Sequence, residues 1–258
     1  MTRRTVRYAG PPFAGTKDLW VMATSLLIEG FWLMRERLTV YALFGLACAA
    51  AAWEVMPHLD LYDVIANHPM ALFSTPPVSV VLVLALVALF FILPSAMRRI
   101  DPSFHMTGMR IALTAATLAC VGLVTEIGYV FAVIPGIVAA VLLSQALVGA
   151  LLRVRAGSGL LDVVPLMIGS MRGSIAMTRT HFVTTFGVVA ASLVILLVPF
   201  TLVMLTLLIL GVRVPPSLVV TTPALFFTFI YFECVRYSLI VRWYRRLAKD
   251  APDVALAA

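Results

Sequence analysis

Glu233 and Arg236 stand three residues apart inside a long apolar run, so an α-helix places them on one face. At membrane depth such a pair either neutralises itself as a structural contact or serves a proton or substrate path. Counting back from Arg242, Glu233 lies roughly 13 Å deeper at about 1.5 Å per residue. That depth lets Arg236 extend toward the inner headgroups and neutralise the acid on the way, so a structural pair is the expectation. Gln145 falls near the middle of another apolar run, where its amide needs a partner on a neighbouring helix. His58, Asp60, Asp63 and His68 are metal-ligand types, but their spacing fits no ligand pattern. Asp60 to Ala66 reads instead as a short surface helix ended by Pro69. His105 and His181 occur singly, with solvated or capping roles. Cys48, Cys120 and Cys234 all lie in apolar runs and read as packing residues. There is no H-E-x-x-H, C-x-x-C, P-loop or nucleotide-type glycine pattern, and Gly157-Ser158-Gly159 reads as a turn. The expectation is a non-enzyme without metal or cofactor.

The elements that must position these residues follow from composition. Of 258 residues, 62% are hydrophobic and 12% charged, whereas soluble domains are about half apolar and a quarter charged. A water-soluble fold could not hide so much apolar surface, which excludes an ordinary cytosolic enzyme and a disordered chain. The basic balance, +7, does not point to nucleic acid, because the basic residues sit between apolar runs rather than on one water-facing patch.

Six spans are predicted, at about 38–55, 78–97, 109–127, 134–152, 182–212 and 217–241. Residues 109–152 are too long for one crossing and must fold back, with Glu126 to Tyr129 and Pro135-Gly136 offering the turn. With the N-terminus in the cytoplasm and strict alternation, every Lys and Arg except Arg213 falls on the inner side. Both termini, 1–37 with its helix and the 242–258 tail, are therefore predicted cytoplasmic. Met1 to Gly15 carry Arg3, Arg4 and Arg7 but no apolar core, unlike a signal peptide.

Before the first span, Asp18, Ser25, Glu29 and Glu36 share one helical face, and Leu19, Met22, Leu26, Leu27, Leu33 and Met34 cover the other, with Trp20 and Trp32 near it. This predicts a helix lying in the membrane interface, or otherwise a short helix packed on other loops. Leu160 to His181 is semi-apolar in the same way and also leads into a span. At an offset of 142, Arg37 meets Arg179 and Phe44-Gly45 meets Phe186-Gly187, which suggests a parallel repeat of an interfacial helix followed by two spans. Gly136, Ala140 and Ser144, and likewise Ala112, Ala116 and Ala119, form small-residue ridges expected to pack within the chain.

Ile134-Pro135-Gly136-Ile137 and the segment from Gly173 to Phe182 carry a family likeness. The chain resembles the YciC-like membrane proteins and the membrane domain attached to some glycerophosphoryl diester phosphodiesterases. In those, I-P-G-I opens a helix and an A-x-x-S-x-x-L-T-x-G-x-F/W segment precedes the next span. Pro135, Gly136, Ser174, Met177, Thr178, Arg179 and Phe182 fit, whereas Met171 replaces the alanine and Thr180 the glycine. Tyr231, Glu233 and Arg236 are similar to the family's closing tyrosine, acid and arginine, with the acid–arginine spacing one residue longer. The resemblance covers about residues 111–247 and implies no catalytic activity, since no phosphodiesterase domain accompanies it.

The expected protein is thus an all-α six-span bundle with two cytoplasmic interfacial helices. Its expected role is non-catalytic: membrane organisation, or an accessory subunit of a larger membrane assembly. The competing role is a transporter or lipid-handling protein whose path is lined by Gln145, Glu233 and Arg236. Expected partners are lipids, with anionic headgroups at the cytoplasmic face, and a membrane-protein partner or a second copy. Arginine preference over lysine and abundant alanine suggest a GC-rich bacterial source, hence the bacterial inner membrane.

Overall fold

The computed structural model describes residues 16–55, 90–155, 157–209 and 215–250. The described residues are mostly helical, with no strand among them. The outer-loop residues His58 to His68 and the first part of the second predicted span lie outside the described residues.

The first helix, α1 (Thr16–Arg35), leads through a two-residue turn into α2 (Leu38–Val55). Residues 90–97 are helical and end at Arg98–Ile100. Next comes α3 (Gly108–Phe131), whose Thr107 N-cap is extended and accepts from the Arg110 amide at 3.3 Å. It is followed by α4 (Val133–Leu143) and α5 (Ala146–Arg153). A 3-10 turn at Leu160–Asp162 opens α6 (Val163–Arg179), and α7 (Phe182–Ile209) follows it directly. The last helix, α8 (Pro215–Asp250), runs 36 residues, about 54 Å at 1.5 Å per residue. That exceeds a hydrocarbon core of about 30 Å, and residues 242–250 of the expected tail continue the helix.

Three stretches among the described residues are long and apolar enough to cross a membrane: Gly108–Phe131, Val133–Arg153 and Leu160–Arg179. The first two coincide with the third and fourth predicted spans. The expected fold-back between them is one residue wide. Ala132 alone is extended, at φ −172° and ψ 158°, and α4 restarts at once. Gly128 and Gly136 make this possible by letting the two helices cross almost in backbone contact. A Cβ built on Gly128 would lie 2.8 Å from Gly136 Cα, and no rotamer change can relieve a clash with backbone. Gly128→Ala should therefore cost about 1–3 kcal/mol in detergent unfolding. Gly122→Ala, on the same helix with nothing within 4 Å of its Cβ, should be neutral or slightly stabilising. Equal behaviour of the two variants would refute the close crossing.

The ridge Ala112, Ala116 and Ala119 is not the buried face of α3. Leu113, Thr114 and Thr117 are buried and Ala119 is exposed. Thr114 can turn inward because a helical hydroxyl can bond its own backbone, as it does to the Arg110 carbonyl at 2.7 Å.

The helices pack in two groups around a continuous apolar core: α3 with α4, α5 and α6, and α8 with α1, α2 and α7. One helix–turn–helix elbow, α1–α2, lies within the second group, and another, α6–α7, links the two groups. The elbows correspond at an offset of 144, which corrects the 142 suggested by sequence identities. Helix ends match at Arg35 and Arg179, and starts match at Leu38 and Phe182. The turn bonds also match. Arg37 N–H donates to Met34 O at 3.2 Å and Tyr41 N–H to Arg37 O at 3.1 Å. Correspondingly, His181 N–H donates to Thr178 O at 3.1 Å and Thr185 N–H to His181 O at 2.8 Å. Leu26, Gly30, Leu33 and Tyr41 are buried, as are Ser170, Ser174, Met177 and Thr185. At 142 the same four would meet Ile168, Arg172, Ile175 and Val183, all exposed. Identities mislead because a two-residue shift turns a helix by roughly 200° and exchanges its faces.

Candidate functional site

Gln145 marks a break in the fourth predicted span. Helix α4 stops at Leu143, Ser144 and Gln145 form a turn, and α5 restarts at Ala146. A break at this depth frees backbone groups that water cannot satisfy. Two residues of α6 supply the missing partners. Ser174 Oγ donates to the Leu142 carbonyl at 2.6 Å and accepts from the Gln145 amide at 3.2 Å. Thr178 Oγ1 donates to its own helix at the Ser174 carbonyl, 2.7 Å away, with Leu142 O a second acceptor at 3.2 Å. Ser174 thus stands in for an i→i+4 bond across the break. The Gln145 side chain does far less: Nε2 reaches Ser144 Oγ at 3.4 Å, while Oε1, fully buried, has no hydrogen-bond partner among the described residues.

The remaining motif residues separate by role. Gly136 is buried against Tyr129, and Pro135 is exposed at the third residue of α4. Arg179 is exposed at the end of α6, and Phe182 opens α7 half-buried. The ridge of Gly136, Ala140 and Ser144 therefore begins at the α3–α4 crossing and ends at the break that α6 closes.

Glu233 and Arg236 meet as predicted. Arg236 Nη2 and Nε donate to Glu233 Oε2 at 2.7 and 2.9 Å. The acid side chain is 4% exposed and the arginine 22%. The guanidinium also stacks 4.9 Å from the Tyr237 ring centre. Gln145 and the pair do not converge, since Gln145 faces α6 while the pair lies on α8, in the other helix group.

A second ionic cluster joins α1 to α8. Arg242 Nη2 and Nε meet Glu29 at 2.6 and 3.0 Å, and Nη1 donates to Ser25 Oγ at 2.7 Å. Arg99 reaches Glu36 at 3.4 Å. Nearby, Tyr231 Oη donates to the Leu27 carbonyl at 3.1 Å, and a Cβ on Gly30 would overlap Val235, so α1 approaches α8 closely. The expected faces of α1 are thereby corrected. Met22, Leu26, Leu33 and Met34 turn inward beside Ser25 and Glu29, while Trp20, Val21, Leu27, Ile28, Phe31 and Trp32 are exposed. Ser25 and Glu29 turn toward the protein because Arg242 supplies their partner. The signal for this cluster was present, since an acidic stripe beside a membrane calls for cations at matching depth.

Cys120 and Cys234 are free thiols, the first 3.7 Å from Met171 Sδ. His181 lies 3.8 Å from Asp250 and edge-on to Trp243, whose indole N–H donates to Thr185 at 3.1 Å. No group of three or more His, Cys, Asp or Glu able to hold a metal occurs among the described residues. No family model, curated protein or solved structure matches the chain.

Proposed function

We propose that this is a non-catalytic integral membrane protein of six spans, with both termini cytoplasmic, in a bacterial inner membrane. Its role is membrane organisation, or that of an accessory subunit in a larger membrane assembly. The observation that carries this reading is that charged and backbone groups at depth close on each other. Glu233 is held by Arg236, and the break at Ser144–Gln145 is closed by Ser174. A transport path needs such groups available to substrate. The likeness to the YciC-like membrane proteins belongs to this proposal, as does the interfacial placement of α6. With Arg153 and Arg155 before that helix and Arg179 at its end, the positive-inside rule favours keeping both ends on one side.

A second reading, a transporter or lipid-handling protein, is favoured by one observation. Gln145 Oε1 and Thr117 Oγ1 are buried without hydrogen-bond partners among the described residues, and buried polar atoms of that kind often mark a ligand or water site.

Two measurements test the proposal. Reporter fusions at Ala156 and Lys249 should read cytoplasmic, and one at Ala66 extracytoplasmic. An outside signal at Ala156 would end the six-span arrangement. Capture from native membranes in mild detergent should recover a stoichiometric membrane partner or a defined lipid set. Solute-dependent flux by the reconstituted chain alone would instead establish the second reading.

A further inference from the structure

The junction of α1 and α8 carries more positive charge than it neutralises. Arg242 and Arg245 are three residues apart on α8 and share a face. Arg99, just past the helical residues 90–97, reaches the same junction through Glu36 in the α1–α2 turn. Against these three guanidiniums stand two carboxylates, Glu29 and Glu36. Arg242 spends three of its five N–H donors on Glu29 and Ser25, and Arg99 makes a single long contact to Glu36. Arg245 is exposed and makes no ion pair or hydrogen bond among the described residues. Partial burial lowers the affinity of its guanidinium for the proton; Glu29 opposes this, and repulsion from Arg99 and Arg242 adds to it. An anion seated between Arg245 and its neighbours would relieve that repulsion and take up the idle N–H donors.

The surroundings distinguish a lipid from a free anion. The outer face of α1 presents Trp20, Leu27, Ile28, Phe31 and Trp32 to the exterior, with Trp20 76% exposed. Arg35 lies 5.0 Å from the Trp32 ring centre. Exposed indoles beside arginines are the arrangement found where headgroups meet acyl chains. We propose that Arg99, Arg242 and Arg245 form a binding site for the phosphate of an anionic phospholipid, whose acyl chains lie along the exposed apolar face of α1. The site rests on the membrane reading above, with this end of α8 at the cytoplasmic surface.

The full-length chain in mild detergent is titrated with phosphatidylglycerol and with phosphatidylcholine, and adducts are counted by native mass spectrometry. Phosphatidylglycerol should bind in preference, and Arg245→Gln should weaken it about tenfold, the scale of a lost charge-assisted phosphate contact. Lys249→Gln removes an exposed charge one turn further along and should leave binding unchanged. Arg245 is exposed, and an unchanged melting temperature in lipid-free detergent will show that its variant folds. Equal binding of the two lipids, or equal losses in the two variants, would overturn the site. Full displacement of the lipid by millimolar inorganic phosphate would do the same, by making it a free-anion site. Alkaline carbonate extraction of native membranes reads the underlying assignment separately. Release of the chain there fails the membrane reading, whereas lost lipid discrimination in a chain that stays embedded fails the site alone.

Discussion

Replacing Arg236 with leucine should cost about 3–5 kcal/mol of stability, the scale seen when one partner of a buried ion pair is removed. Glu233 is almost wholly enclosed and receives both of its hydrogen bonds from that guanidinium. Without it, the carboxylate must remain charged in an apolar setting or take up a proton, and either route costs folding free energy. Glu233→Gln should be milder, near 1–2 kcal/mol, because Arg236 keeps its Tyr237 stacking and its partial exposure. The double variant Glu233→Leu, Arg236→Leu should recover most of the loss, since a well-packed apolar pair commonly matches a buried ionic one. Denaturant unfolding in mild detergent measures all three. A chain that folds as the double variant but loses its cellular role would show that the pair serves a proton or substrate, which is the competing reading.

The parts of this protein legible in its sequence are those that depend on chain-local periodicity and length. The third and fourth predicted spans match, within about four residues, helices long and apolar enough to cross a membrane, because apolar runs and the length of a crossing leave little freedom. Glu233 and Arg236 were paired from their spacing alone, since three residues on a helix bring two side chains to one face whatever surrounds them. What the sequence could not supply is the identity of partners distant along the chain. The acidic stripe of α1 was visible, but Arg242, more than 200 residues later, decides that it faces protein. The offset of the repeat failed for a related reason. Arg37 and Arg179 are identical residues, but the backbone equates Arg37 with His181, and burial follows backbone register rather than residue identity.

Gln145 and Ser174 show that difference most sharply, and they yield the last expected result. In the sequence, Gln145 is conspicuous as a polar side chain in mid-span, and Ser174 is one small residue in a semi-apolar segment. In the structure, the Gln145 side chain makes one long contact and leaves its oxygen buried without a partner, while its backbone amide depends on the Ser174 hydroxyl. Gln145→Leu should therefore be close to neutral, losing at most about 1 kcal/mol while removing an unsatisfied acceptor. Ser174→Ala should cost about 2–3 kcal/mol, because it strands the buried Gln145 N–H and takes from Leu142 O its shortest hydrogen bond. Thr178→Val, which keeps the shape and leaves Ser174 in place, should cost about 1 kcal/mol. Combined with Ser174→Ala it should exceed the sum of the two, since Leu142 O then loses its second donor as well. Unfolding in mild detergent gives the order directly. If Gln145→Leu proved the most damaging of these changes, the side chain would have to be engaging something other than this protein, and the transporter reading would move ahead of the structural one.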